Sequence, residues 1–172
     1  MIMETNDNTL YYLSDLSDYT IDDGYPDVRG WKVIDREQRI IGKVDNLIVN
    51  KAIERVVYLD VEVDESIIQM HHITDTVPAD DGKLHAVTND EGENHLLIPI
   101  GLVSLNEDTE EVITDQIDYQ TLVGTKRIRE NSVIDREYET MVLNRYNRNH
   151  THNPEDDQFY DKELFKRNYN RD

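Results

Sequence analysis

The sequence predicts a mainly β fold, a small closed or partly open β-barrel with a short N-terminal helical segment and a C-terminal helix. Three observations support this prediction. Two alternating apolar patterns between residues 40 and 63 pair in a single register, further short strand patterns follow between turn residues, and the apolar spacing becomes helical after Gly124. Apolar residues are concentrated between Trp31 and Ile117, which places the core there.

The strongest single prediction is a β-hairpin with Lys51–Glu54 as its loop and Asn50 opposite Arg55. A slip of one residue would move every apolar side chain to the wrong face, so burial specifies this register. Asn46 then faces Leu59 as a polar residue among apolar ones. The remaining pairs are Gly42 with Val63, Lys43 with Glu62, Val44 with Val61, Asp45 with Asp60, Leu47 with Tyr58, Ile48 with Val57 and Val49 with Val56.

The segments before the hairpin are shorter. Residues 1–9 are polar and predicted to be disordered, whereas Leu10, Leu13 and Leu16 are spaced like one face of a short helix packed on the barrel edge. Residues 31–34 predict the first strand. The sequence DREQR then turns the chain, and Gln38 indicates a longer or differently shaped loop than an Asp-Gly hairpin turn.

The segments after the hairpin predict more strands and one helix. Residues 65–94 are interpreted as an extended hairpin, and HLLIPIGLVSL and EVITDQI as two further strands, with Pro99 at a bulge or an edge. Ser132 with Asp135 resembles a capping box, and it precedes a helix over 133–146. We divide the chain into an extension (1–23), the barrel (24–124), the C-terminal helix (125–147) and a flexible tail (148–172) that is either disordered or a partner-binding arm.

Charge and composition narrow the function classes. The chain has 18 basic and 37 acidic residues, a net charge of −19, and no cysteine. The segment from Asn144 onward is neutral, so the whole net charge belongs to the body, which repels nucleic acids and anionic membranes. No stretch approaches the ~20 apolar residues of a transmembrane helix, and the N-terminus does not resemble a signal peptide. We therefore expect a cytoplasmic protein without membrane insertion or nucleic-acid binding.

No catalytic motif is visible, so we do not expect an enzyme. The serines lack a nucleophile elbow, and no glycine-rich loop could cradle phosphates. The histidines form no helical metal-binding pair, and we interpret them as surface or loop residues, with no metal and no cofactor expected. They are His71, His72, His85, His95, His150 and His152.

The acidic residues of the second hairpin strand form the one candidate site. Asp60, Glu62 and Asp64 alternate along its outer face, and the predicted register places Asp60 opposite Asp45. Like charges in direct opposition are destabilising. Arg29 or Lys43, a bound cation, or a proton held by the paired carboxylates would relieve the repulsion, whereas a solvated face whose charges splay apart is the alternative.

The run PDVRGW, followed by RIIGKVDNLIVN, RVVYLDVEV and HLLIPIGLVSL, resembles the PRC-barrel domain over residues 10–122. Within that family it is most similar to the cytoplasmic domain of the photosynthetic reaction centre H subunit. The resemblance implies a non-catalytic assembly or adaptor module that binds a protein partner or self-associates as a homo-oligomer, and it leaves a photosynthetic role open. The alternative is a protein that binds a cation or small ligand on its acidic face. The motif residues are Pro26, Asp27, Arg29, Gly30, Trp31 and Gly42.

Overall fold

The computed structural model describes residues 10–17, 20–21, 26–70, 73–78, 84–89, 92–146 and Phe165, and it gives the backbone alone for 69–70, 73–78 and 84–88. Within these residues the fold is mainly β and barrel-like, with a C-terminal helix, which confirms the predicted fold class. The strands are β1 (Leu10–Tyr12), β2 (Lys32–Ile34), β3 (Ile40–Asn50), β4 (Arg55–Val63), β5 (Ile73–Pro78), β6 (Leu84–Thr88), β7 (His95–Pro99), β8 (Ser104–Asn106) and β9 (Glu111–Ile113). The helices are α1 (Glu65–Met70), α2 (Tyr119–Val123) and α3 (Arg136–Tyr146).

Seven strands form one sheet in the order β7-β4-β3-β2-β9-β8, with β1 also paired to β3. The pairs are antiparallel except β2 with β9, which run parallel. The long strand β3 is the scaffold, because it carries β4 on one side and, on the other, β2 at its beginning and β1 at its end. Strands β5 and β6 form a separate hairpin.

The predicted register of the central hairpin is confirmed at both ends. Lys51–Glu54 form the turn, and Asn50 pairs with Arg55, Val49 with Val56, Val44 with Val61, Lys43 with Glu62 and Gly42 with Val63. A Cβ at Gly42 would overlap the carbonyl oxygen of Glu62, so glycine is required where these two strands approach most closely.

The register is wrong in the middle of the hairpin. Between two irregularities, Asn46 pairs with Asp60, Leu47 with Leu59 and Ile48 with Tyr58, instead of the predicted partners Leu59, Tyr58 and Val57. Asp45 is an extra residue on β3 and Val57 an extra residue on β4, so the two bulges cancel and the ends return to register. Asp45 is consequently not the cross-strand partner of Asp60.

The PDVRGW motif builds the turn that leads into β2. Trp31 N–H donates to the carbonyl of Val28 at 3.0 Å, and Gly30 occupies the third position of this turn with φ +90°. A type II turn needs such a positive φ at that position, which glycine adopts without strain. Arg29 forms an ion pair with Asp27 at 2.6 Å, and Trp31 is buried. Asp27, Arg29, Gly30 and Trp31 therefore shape this turn and anchor it on the core.

Three predicted elements differ from the structure. The segment HLLIPIGLVSL, predicted as one strand, is two strands, β7 and β8, separated by a 3₁₀ turn at Ile100–Leu102. Leu10–Tyr12 form an edge strand against β3, and only Leu13–Asp15 are helical, as a single 3₁₀ turn. Residues 65–70 were expected to extend and instead form α1, while the hairpin prediction holds for β5 and β6. Three apolar residues in a short segment fit both the helical period of 3.6 and the strand period of 2. In these segments the packing against the rest of the fold decides between helix and strand.

Helix α3 begins three residues later than predicted, and its cap is Asp135 rather than Ser132. The Asp135 carboxylate accepts from Tyr138 N–H at 2.8 Å, whereas the Ser132 hydroxyl donates back to Arg129 O. Buried tyrosines tether this part of the chain to the sheet. Tyr12 donates to Ser132 O, Tyr58 to Glu139 Oε1, and Tyr146 to Leu97 O, all at 2.8–2.9 Å.

Phe165 is the one described residue of the predicted flexible tail. It is 1 % exposed, and its ring meets Tyr58 edge-on with 5.3 Å between ring centroids. At this residue the chain therefore packs into the core. The rest of the tail prediction, like the predicted disorder of residues 1–9, lies outside the described residues.

Candidate functional site: a buried carboxylate and imidazole

Three neighbouring strands each contribute one polar side chain to a common cluster. Because β7, β4 and β3 lie side by side, His95, Asp60 and Asp45 come together at their boundary. One ligand atom from each of the three residues can be chosen so that all lie within 4.8 Å of one another. Asp60 and His95 are buried, with 1 % and 3 % exposed, and Asp45 is exposed, so the cluster extends from the interior to solvent.

The bulge at Asp45 explains how this residue reaches the cluster. Where β3 carries an extra residue, two of its residues face one residue of β4, and here Asp45 and Asn46 share Asp60. Asn46, also buried, turns to the N-terminal segment: its Nδ2 donates to Ser14 Oγ at 2.7 Å, and its Oδ1 accepts from the backbone N–H groups of Ser14 and Leu47. The amide of Asn46 is thereby satisfied, whereas a carboxylate oxygen of Asp45 lies within 4.8 Å of ligand atoms of Asp60 and His95.

The pairing of β4 with β7 positions His95. Its backbone partner is Glu62, two residues beyond Asp60, so the imidazole and the Asp60 carboxylate are diagonal neighbours on one sheet face. His95 Nδ1 and Asp60 Oδ1 are 2.7 Å apart and share a hydrogen bond. On its other side, the His95 backbone exchanges two hydrogen bonds with Ile128, both at 2.9 Å.

The surroundings favour the protonated forms of both groups. Burial raises the pKa of Asp60 against the lowering effect of the His95 hydrogen bond and charge, and the negative charges of Asp45 and Glu130 raise it further. Burial alone would lower the pKa of His95, but the hydrogen bond to Asp60 and the fields of Asp60, Asp45 and Glu130 outweigh it, so that pKa is raised. Two carboxylates beyond the pair therefore act on this site.

Arg29 and Lys43, which the sequence suggested as partners for Asp45 and Asp60, have other partners or positions. Arg29 is engaged by Asp27, and Lys43 lies opposite Glu62 on an exposed position of β3. Among the described residues, neither cation forms an ion pair with Asp45 or Asp60. The cluster thus holds one imidazole and an excess of carboxylates.

Glu62 and Asp64, the other predicted acidic-face residues, do not join the cluster. Glu62 is half-buried, opposite Lys43 on one side and His95 on the other. Asp64 ends the strand and caps α1, where its carboxylate accepts from Ser66 N–H at 3.0 Å and Ser66 Oγ at 2.6 Å. The hydrogen bond from Ser66 Oγ, and to a lesser extent the one from Ser66 N–H, holds the pKa of the Asp64 carboxyl below its usual range.

His95 is the member of this cluster that the sequence interpretation missed, since it was expected on the surface or in a loop. A signal was available in the strand HLLIP. His95, Leu97 and Pro99 alternate onto one face, and every residue of the strand is buried. A histidine in register with buried residues needs a hydrogen-bonding partner, and that need could have directed attention to Asp60.

Comparison with known protein families places one domain on this chain. Residues 22–77 match the model of the PRC-barrel domain, a stretch that contains β2, the whole β3–β4 hairpin and most of β5. This confirms the expected family resemblance for that stretch and leaves the closer likeness to a reaction centre subunit as an expectation. No curated protein matches the chain.

The helices of the described residues are short. None of them has the length and apolar character required to cross a bilayer.

Proposed function

We propose that this protein is a non-catalytic protein-interaction module built on a PRC-barrel. The observation that carries the proposal is the PRC-barrel match over residues 22–77, which coincides with the hairpin at the centre of the sheet. At the level of the family, such a domain supports assembly rather than chemistry. The proposal includes no catalytic activity, because the sequence has neither a nucleophile elbow nor a glycine-rich phosphate loop.

The surface that we propose for the contact is the end of the β3–β4 hairpin, which consists of Tyr11, Lys51 and Ile53. Tyr11 and Ile53 are each 40 % exposed, and the Lys51 ammonium lies 4.9 Å from the centre of the Tyr11 ring. β1 pairs its first residue with Asn50, so these side chains lie at one end of the sheet. Tyrosine is among the residues enriched where protein partners bind, and Ile53 adds an apolar side chain beside it.

The charge of the chain defines the partner further. With a net charge of −19, the body attracts a protein whose contact region is apolar at its centre and basic at its rim. The same charge also attracts basic proteins nonspecifically, so the specific contact has to be separated from that background. A second copy of this acidic chain would be repelled by the same net charge.

The experiment is affinity capture with the full chain as bait, followed by reconstitution of the complex from purified proteins. Washing at about 0.5 M salt reduces the Debye length to roughly 4 Å and removes partners held by charge alone. The proposal predicts a complex of fixed stoichiometry in light scattering that survives this wash. If nothing but salt-sensitive basic proteins is captured and the chain stays monomeric at every concentration, the proposal fails.

Two variants locate the contact. Ile53→Ser removes an apolar group at the hairpin end, and Ile40→Ser removes an equally exposed one at the opposite end of β3. Neither variant changes the net charge. We expect Ile53→Ser to weaken the reconstituted complex at least fivefold while Ile40→Ser leaves it unchanged, since the residues that cost more than about 1 kcal/mol when truncated cluster at the centre of an interface, where we place Ile53. Equal effects would place the contact elsewhere.

A further inference from the structure

We propose that Asp45, Asp60 and His95 form a binding site for a transition-metal cation, with Zn²⁺ as the best-fitting ion. The three residues come from adjacent strands, and their ligand atoms lie within 4.8 Å of one another. Carboxylate oxygens and an imidazole nitrogen are ligands that Zn²⁺ prefers, and three protein ligands with an open fourth position form a known type of zinc site.

The geometry requires little movement. At bond lengths near 2.1 Å, ligand atoms around a tetrahedral Zn²⁺ are about 3.4 Å apart. His95 Nδ1 and Asp60 Oδ1 already approach to 2.7 Å across the proton that they share. Asp45 is exposed and lies within 4.8 Å of the other two ligand atoms, so a rotation of its side chain would close the remaining gap when an ion binds in place of that proton.

The ion pairs of the described residues are a second reason for a cation here. Among these residues neither Asp45 nor Asp60 pairs with a lysine or an arginine, and Asp60 pairs with His95. The cluster therefore sets two carboxylates against one imidazole. Buried carboxylates are stable when paired or bound to metal, and a divalent ion would supply the missing positive charge.

The site also differs from the acidic face that the sequence suggested. Glu62 and Asp64 are not ligands, because the first faces Lys43 and the second caps a helix. His95 replaces them and changes the preference from an oxygen-only site, which suits Ca²⁺ or Mg²⁺, to a nitrogen-containing one that suits Zn²⁺. Binding would fasten β3, β4 and β7 together, and through the Ile128 hydrogen bonds it would hold the C-terminal segment in place.

The test is calorimetric titration of the full, metal-free chain with Zn²⁺ and, separately, with Ca²⁺. We expect saturable binding of one Zn²⁺ per chain, an unfolding midpoint that rises with Zn²⁺ concentration, and much weaker binding of Ca²⁺. Asp45→Asn should weaken Zn²⁺ binding at least about tenfold, since even partners behind a metal ligand contribute that much. Bound Co²⁺ should lose intensity in its visible bands in the same variant.

Controls separate this site from adventitious binding. Asp108→Asn removes an exposed carboxylate in the β8–β9 turn, and a His71→Gln/His72→Gln variant removes two other histidines; both should bind Zn²⁺ like the parent. Without metal, Asp45→Asn should be at least as stable as the parent because it removes repulsion near Asp60. The proposal is overturned if Asp45→Asn binds Zn²⁺ as tightly as the parent, or if the His71/His72 variant alone abolishes binding.

Discussion

Single carboxylates decide local structure in this acidic chain. Asp35 is 3 % exposed and organises the turn between β2 and β3. Its Oδ1 accepts from the backbone N–H groups of Glu37 and Arg39, at 3.0 and 2.7 Å, and its Oδ2 accepts from Arg39 Nε at 2.7 Å. These bonds allow Gln38 to adopt its left-handed φ of 69°, which explains the unusual turn shape that the sequence indicated.

The first prediction concerns the pH dependence of this turn. Burial alone would raise the pKa of Asp35, but the backbone hydrogen bonds and Arg39 lower it below the ordinary value. A depressed pKa gives stability that is present above the unfolded-state pKa of about 3.9 and disappears as the pH falls through the folded-state value. Asp35→Asn should therefore cost about 2 kcal/mol in urea unfolding at pH 7 and progressively less below pH 4.

The matched control for Asp35→Asn is Asp108→Asn, an exposed aspartate in another turn. It should change the free energy of unfolding little at any pH. A cost for Asp35→Asn that stays constant from pH 7 to pH 2 would show that the carboxylate charge does not hold the turn.

A buried valine tests the register of the hairpin. Val61 is fully buried opposite Val44, so Val61→Asp places an unpaired charge in the core and should destabilise the fold by more than about 4 kcal/mol. The same substitution at Val133, which is 81 % exposed, should cost little. Circular dichroism and urea unfolding measure both, and a Val61→Asp protein as stable as the parent would contradict the register.

At the scale of elements, the helix α3 and Phe165 cover part of the sheet. Strand β4 lies between β7 and β3 and is buried along its middle, and the helix α3 and Phe165 approach it through Tyr58. The Tyr58 hydroxyl donates to Glu139, which also pairs with Arg136 at 3.3 Å, so a buried carboxylate is satisfied from two directions. The C-terminal segment is therefore part of the folded unit at these contacts.

Substitutions of Phe165 test whether the C-terminal segment packs against the sheet. Phe165→Ala should cost about 3 kcal/mol, because it removes a fully buried ring and the edge-on contact with Tyr58. Phe165→Leu keeps most of the apolar volume and should cost less than about 1.5 kcal/mol. Truncation at Asn147 should lower the melting temperature at least as much as Phe165→Ala. If truncation leaves the melting temperature unchanged, Phe165 does not dock in solution.

The same elements show what sequence patterns could and could not supply. Alternation gave the ends of the β3–β4 register because core-facing valines tolerate one phase only. It could not reveal the bulges at Asp45 and Val57, since the extra residue on one strand compensates the extra residue on the other and leaves the register outside them unchanged. The cluster shows the same limit. The predicted register brings Asp45 and Asp60 together, but the contact with His95 depends on β7 pairing with β4, which alternation within each strand does not indicate.

At the scale of the whole molecule, the net charge of −19 opposes compactness. Like charges on one folded body repel, and salt screens that repulsion with a Debye length of about 10 Å at 0.1 M. We therefore expect the melting temperature to rise as NaCl increases from 10 to 300 mM. Differential scanning calorimetry checks this, with sucrose as a control for preferential exclusion. A melting temperature that falls with salt would mean that attractive ion pairs dominate.

The central claim is that the chain binds a protein partner through the end of its central hairpin. Hydrogen exchange of the reconstituted complex tests it most directly, because bound surfaces exchange more slowly than the same surfaces in the free protein. We predict added protection in peptides covering residues 10–13 and 49–55, and none in those covering 104–113, where β8 and β9 form the far side of the sheet. Protection confined to residues 104–113, or none at all, would contradict the claim.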